Sequence, residues 1–210
     1  MIRQLIDLLK GSLYAFLSLF FLLVGKLLFH LQVSGRPRLG GSNGYIVVAR
    51  HRSYWDVPLL TAAAGWRNRI HYIARAKLRR NKLFRPLLRL YATTIERDRF
   101  GKADFRRMLK ALKSERLIGI FPEGTTVKRV DPKSGAVRFA LLTGKDLLPV
   151  RIATTGPYPP IYPFGFPRMS ISFGEPLCAT DLEKEIPGVS TRRERYRLLT
   201  EKLMERVDAG

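Results

Sequence analysis

Sulfur chemistry is almost missing from this chain. Its 210 residues hold one cysteine, Cys178, which excludes an intramolecular disulfide and any cysteine-based zinc site. Imidazole is scarce as well: His30, His51 and His71 are the only histidines, and none has the spacing of a metal ligand. Acids are few, 17 Asp plus Glu against 38 Lys plus Arg, for a formal charge of +21. That imbalance points to anionic partners: nucleic acid, a phospholipid surface, or acidic proteins and phosphorylated substrates. A chain of this length with 46% hydrophobic residues buries a core without staples.

The bases are not spread evenly. Residues 57–95 contain no acid and nine bases, from Arg67 to Arg89, with Leu78, Leu83, Phe84, Leu87 and Leu88 interleaved. This mixture suits a lipid surface, where apolar side chains enter the acyl boundary and bases meet anionic headgroups. It also suits a nucleic-acid face or a merely solvated basic face. The N-terminus separates these readings. Gly11 to Val33 carries Lys26 as its only charge. Its uncharged run, Gly11 to Gly25, is shorter than the roughly 20 residues of a spanning helix. Lys10 precedes an apolar stretch, as in a signal peptide, yet no A-x-A-like cleavage site follows. The expectation is an uncleaved helix embedded in one leaflet, with a tilted span or a buried core helix as alternatives. No nucleic-acid module needs such a segment. Residues 1–39 are therefore read as a membrane-associating segment and 40–210 as the domain proper.

Strand and helix patterns alternate through the domain. Tyr45–Ala49, Ile70–Ala74, Thr93–Glu96, Leu117–Phe121, Leu147–Ala153 and Met169–Phe173 read as strands. Helices are expected over Trp55–Ala64, Leu83–Tyr91 and Ala136–Leu142, the last ending at Gly144. A further helix follows from the stripe Phe105, Met108, Leu109, Leu112, and a closing one from Leu199, Leu203, Val207. Residues 157–167, with five prolines, read as an irregular surface loop. The alternation indicates an α/β domain.

Two strand exits carry candidate chemistry. His51 follows the strand YIVVA at its carboxyl edge, where reactive groups are displayed in α/β sheets. Asp56 comes five residues later, in the opening turn of a helix, within reach of a ring nitrogen. The spacing alone fits a helix-entry hydrogen bond as well as a catalytic pair. Phe121-Pro122-Glu123-Gly124-Thr125 also leaves a buried strand, and by itself it is a strand-ending turn.

Together these blocks resemble the glycerolipid acyltransferase family. Its H-x-x-x-x-D motif stands at His51 to Asp56, and its F-P-E-G-T motif at Phe121 to Thr125. A strand ending in arginine stands at Thr94 to Arg97, and an apolar-Pro-apolar run at Leu148-Pro149-Val150. The blocks occur in family order across residues 45–176. Thr126 stands where the family usually has arginine, and Glu96 where aspartate is usual. The resemblance implies a central mixed sheet flanked by helices. It implies transfer of a fatty acyl group from acyl-CoA or acyl carrier protein to a lysolipid hydroxyl, lysophosphatidic acid first, at the cytoplasmic face of a bacterial inner membrane. His51 would be the base and Asp56 its partner. Arg97, Glu123, Gly124, Thr125 and Lys128 would bind the acceptor, and no cofactor or metal would be needed. The same chemistry on another lysolipid is the first alternative, and a basic module binding nucleic acid or anionic lipid the second.

Overall fold

The computed structural model describes residues 2–41, 43–96, 99–126 and 131–209. Its element order is α1 (Ile2–Phe29), β1 (Gln32–Ser34), β2 (Tyr45–Ala49), α2 (Asp56–Ala64), β3 (Ile70–Arg75), α3 (Arg85–Tyr91), β4 (Ala92–Ile95), α4 (Lys102–Ser114), β5 (Leu117–Ile120), α5 (Gly135–Thr143), β6 (Asp146–Thr155), β7 (Arg168–Phe173), α6 (Ala179–Lys184) and α7 (Arg192–Ala209). The strands form one sheet in the order β1-β7-β6-β2-β5-β3-β4. Every pairing is parallel except β6 with β7. The expected mixed sheet flanked by helices is thus the observed fold.

β2 lies centrally and is buried along its whole length. Tyr45, Val47 and Ala49 face one core with Leu59, Leu60 and Ala63 of α2 and Phe29 of α1. Ile46 and Val48 face a second core built by α4, α5, α6 and α7, through Met108, Leu112, Val137, Leu182, Leu199 and Leu203. A strand covered on both faces has no reason to alternate with polar residues, hence the continuous apolar run. In α4 the stripe is rotated from its expected setting. Met108, Ala111 and Leu112 are buried, whereas Phe105 stays half-exposed and stacks on Phe139. β1 and α6 have no counterpart in the sequence reading, because three and six residues are too short for a periodic pattern.

α1 is docked along one stripe only. The Tyr14 hydroxyl donates to the Asn68 carbonyl at 3.1 Å and accepts the Ile70 N–H at 3.0 Å. The Ser18 hydroxyl donates to the Thr61 carbonyl. Gly25 completes the stripe by close approach: a Cβ there would meet Leu31 at 2.9 Å and Leu59 at 3.1 Å. Away from this stripe, Leu13, Phe16, Leu19, Leu23 and Leu27 are exposed. The stretch Gln4–Phe29 is long and apolar enough to cross a membrane, with a mean hydropathy of 2.0, yet it lies along the domain.

Candidate active site

The parallel strands β2, β5 and β3 end at one edge of the sheet, and the chemistry-bearing side chains gather there. β2 stops at Ala49, and the chain turns through His51 into α2, which starts on Asp56. Asp56 is fully buried. Its Oδ2 accepts three N–H groups: His51 Nδ1 at 2.9 Å, the Arg52 amide at 2.6 Å and the Ser53 amide at 2.8 Å. Its Oδ1 accepts the Tyr158 hydroxyl. A carboxylate with this many donors has one orientation, and through Nδ1 it fixes the tautomer of His51. Nε2 is then the ring nitrogen left for proton transfer. The ring is also held by its face, stacked on Phe121 with centroids 4.5 Å apart, and Phe121 in turn lies parallel to Tyr72.

Glu123 approaches from the β5 exit. Its Oε2 accepts the backbone N–H of His51 at 2.8 Å, and its Oε1 accepts Arg50 at 2.8 Å. Gly124 turns the chain with φ 57°, a left-handed setting that favours glycine, and its N–H reaches the Phe121 carbonyl. The two motifs therefore meet through one carboxylate, and both its oxygens are engaged by the protein. Arg50 also grips Asp208 near the end of α7 through two bonds of 2.6 Å. This guanidinium holds the Asp208 carboxyl below the usual carboxylate range. Arg97 and Lys128 lie outside the described residues.

The sequence reading missed Tyr158, Arg50 and Asp208. Tyr158 meets Asp56 across 102 positions of sequence, from inside the proline-rich loop. Burial and the neighbouring Asp56 carboxylate push its hydroxyl far above the ordinary tyrosine range, so it is a permanent donor. We expect Tyr158→Phe to lower the unfolding free energy by about 1–2 kcal/mol, the effect of removing one donor from a buried carboxylate. It should also reduce kcat, by less than loss of His51 does. Chemical denaturation and steady-state kinetics on the one variant check both effects. Wild-type values in both would show that the contact has no role.

A cavity of about 1810 Å³ runs along this edge. His51 and Phe121 form part of its wall, with Thr125 and Thr126 beside them. One stretch is apolar, lined by Leu17, Phe21, Val57, Leu87, Leu88 and Tyr91. Arg75, Lys77 and Arg80 of the basic stretch also line it, so those bases face the site rather than bulk solvent alone. The volume exceeds that of an ordinary small-molecule pocket, roughly 300–1,000 Å³, and suits long-chain substrates.

The sequence pattern of acyltransferases matches residues 30–165 of this chain. The chain belongs to the acyltransferase family. It is 30% identical over 180 residues to the 1-acyl-sn-glycerol-3-phosphate acyltransferase of Bacillus subtilis (strain 168), which covers 84% of this chain and 86% of that relative. The protein of the same name from Streptococcus pneumoniae is 30% identical over 142 residues, covering 67% of this chain and 52% of that relative. Among solved structures, the 1-acyl-sn-glycerophosphate (LPA) acyltransferase PlsC of Thermotoga maritima superposes with a TM-score of 0.69 at 23% identity. It covers 94% of this chain and 79% of that one, and the likeness is one of fold. As an acyltransferase, the chain places its histidine and aspartate at a sheet edge that opens on an apolar cavity.

Proposed function

We propose that the chain moves a fatty acyl group from acyl-CoA or acyl carrier protein to the free hydroxyl of 1-acyl-glycerol-3-phosphate, giving phosphatidic acid for phospholipid biosynthesis. The observation that carries this reading is the bond from His51 Nδ1 to the buried Asp56 at the wall of a cavity large enough for acyl chains. An alcohol keeps its proton at neutral pH and attacks poorly. Nε2 of His51 takes that proton as the oxygen adds to the thioester carbonyl, and Asp56 stabilises the imidazolium. The intermediate collapses by breaking the C–S bond. The imidazolium then returns its proton to the leaving thiolate. The step uses no covalent acyl-enzyme and no cofactor.

In this reading the acceptor's phosphate rests on Arg97, with Lys128 as a second anchor where Thr126 replaces the usual arginine. Gly124 and Thr125 position the acceptor head beside the cavity. Glu123 acts one step back, by holding the main chain of His51. α1 sits in one leaflet at the cytoplasmic face of a bacterial inner membrane, supported by its exposed apolar face. Lipid then meets the cavity directly, because Tyr14, Leu17 and Phe21 of α1 form part of its lining.

The test is acyl transfer to a panel of lysolipids, with acyl-CoA and acyl carrier protein donors run in parallel. Lysophosphatidic acid should be preferred over a neutral monoacylglycerol. Arg97→Ala should erase most of that preference, since one charge-assisted contact to phosphate contributes about 1.5–3 kcal/mol. Lys128→Ala should erode it less, and Thr126→Arg should lower KM for lysophosphatidic acid. A preference unchanged in Arg97→Ala would mean that phosphate is not what this site reads, and another lysolipid becomes the acceptor.

A further inference from the structure

We propose that the tip of the 157–167 loop is a second membrane contact, inserting Ile161, Tyr162 and Phe164 into the headgroup boundary of the same leaflet as α1. The proposal rests on the reading that α1 sits in that leaflet.

The loop is an ordered hairpin. Ile161 and Gly165 exchange backbone hydrogen bonds of 2.8 and 2.6 Å. Its five prolines restrict φ, so the tip loses little further entropy on docking. Yet the tip is left largely open: Phe164 is 91% exposed, Ile161 66% and Tyr162 65%. Three neighbouring large apolar side chains held out on a rigid turn mark an interaction surface.

Its surroundings point to lipid as the partner. The Tyr162 hydroxyl accepts Trp55 Nε1 at 2.7 Å, and Trp55 packs against Phe21 and Phe29 of α1. Phe166, at the loop's return, packs edge-on against Phe29 at 5.3 Å. The tip thus adjoins the end of α1, whose outward face exposes further leucines. From Leu147 to Gly174 the chain has no acid, and Arg168 directly follows the loop. An acid-free aromatic and aliphatic tip with a base at its return is compatible with an anionic headgroup layer. At its root, Tyr158 bonds Asp56, so a docked tip holds the catalytic edge at the lipid surface.

The experiment uses the full-length chain in a Cys178→Ser background. A single environment-sensitive fluorophore is attached at Phe164→Cys, at Leu23→Cys on α1, or at Lys184→Cys on α6. Each protein is mixed with vesicles of phosphatidylethanolamine and phosphatidylglycerol, with and without a spin-labelled lipid. The label at 164 should shift to the blue and be quenched by the spin label, as at 23, while the label at 184 stays water-like. A label at 23 that is quenched beside one at 164 that stays in water leaves the embedded helix standing and overturns the loop contact. If neither is quenched, both readings fall.

Discussion

A folded His51→Ala enzyme is expected to lose acyl transfer by at least 10²–10⁴-fold, the usual contribution of a positioned general base. The fold should survive. The imidazole touches Asp56 at its edge and Phe121 at its face, but it fills no part of either core. Its removal leaves Asp56 with the Arg52 and Ser53 amides and the Tyr158 hydroxyl as donors, so no buried carboxylate is orphaned. A thermal melt near that of the wild type, together with absent turnover, is the outcome that supports the mechanism. A variant of normal stability that keeps near-normal turnover would end it.

Asp56→Asn should produce the second-largest loss, on the order of 10²–10⁴-fold in kcat, with a smaller effect on folding. The amide can keep its oxygen where Oδ2 now accepts the three N–H groups and turn its NH₂ toward Tyr158, whose hydroxyl also accepts. The His51 tautomer is then preserved and only the negative charge is gone. What disappears is stabilisation of the imidazolium formed as the acceptor's proton moves. KM for both substrates should change little, because Asp56 is wholly buried and touches neither. Turnover within a few-fold of the wild type would show that the carboxylate only positions the helix start.

Both losses fall on residues that the ordered motifs already mark, His51 and Asp56. The strands were legible where burial on both faces forced unbroken runs, as in Tyr45–Ala49 and Leu117–Ile120. The end of α5 was legible because Gly144 adopts a left-handed turn, φ 68°. His51, Asp56 and Glu123 stood in ordered motifs, and the sheet brings all three to one edge. What the motifs do not show is how they are tied together: Glu123, expected at the acceptor, also joins Arg50 and the His51 amide. Tyr158 and Asp208 reach the site across 102 and 158 positions, and no local pattern encodes such a distance. Five prolines in 157–167 read as an irregular loop because proline cannot join a ladder. The same ring fixes φ, and that lets the loop hold Tyr158 in place and present its tip.

The edge strand β1 has a bearing on how the chain assembles during synthesis. Among the described residues its only strand partner is β7, with Gln32 opposite Ser170 and Ser34 opposite Ser172. α1 and β1 are complete when β7 has not yet been translated. The three residues of β1 must therefore wait for almost the whole domain. Such a distant pairing closes late, since loop closure precedes the contacts that reward it. A nascent chain arrested before residue 168 would have α1 free to dock on α2 but β1 without its strand partner. β1, made before the other six strands, is thus the last to be sewn into the sheet.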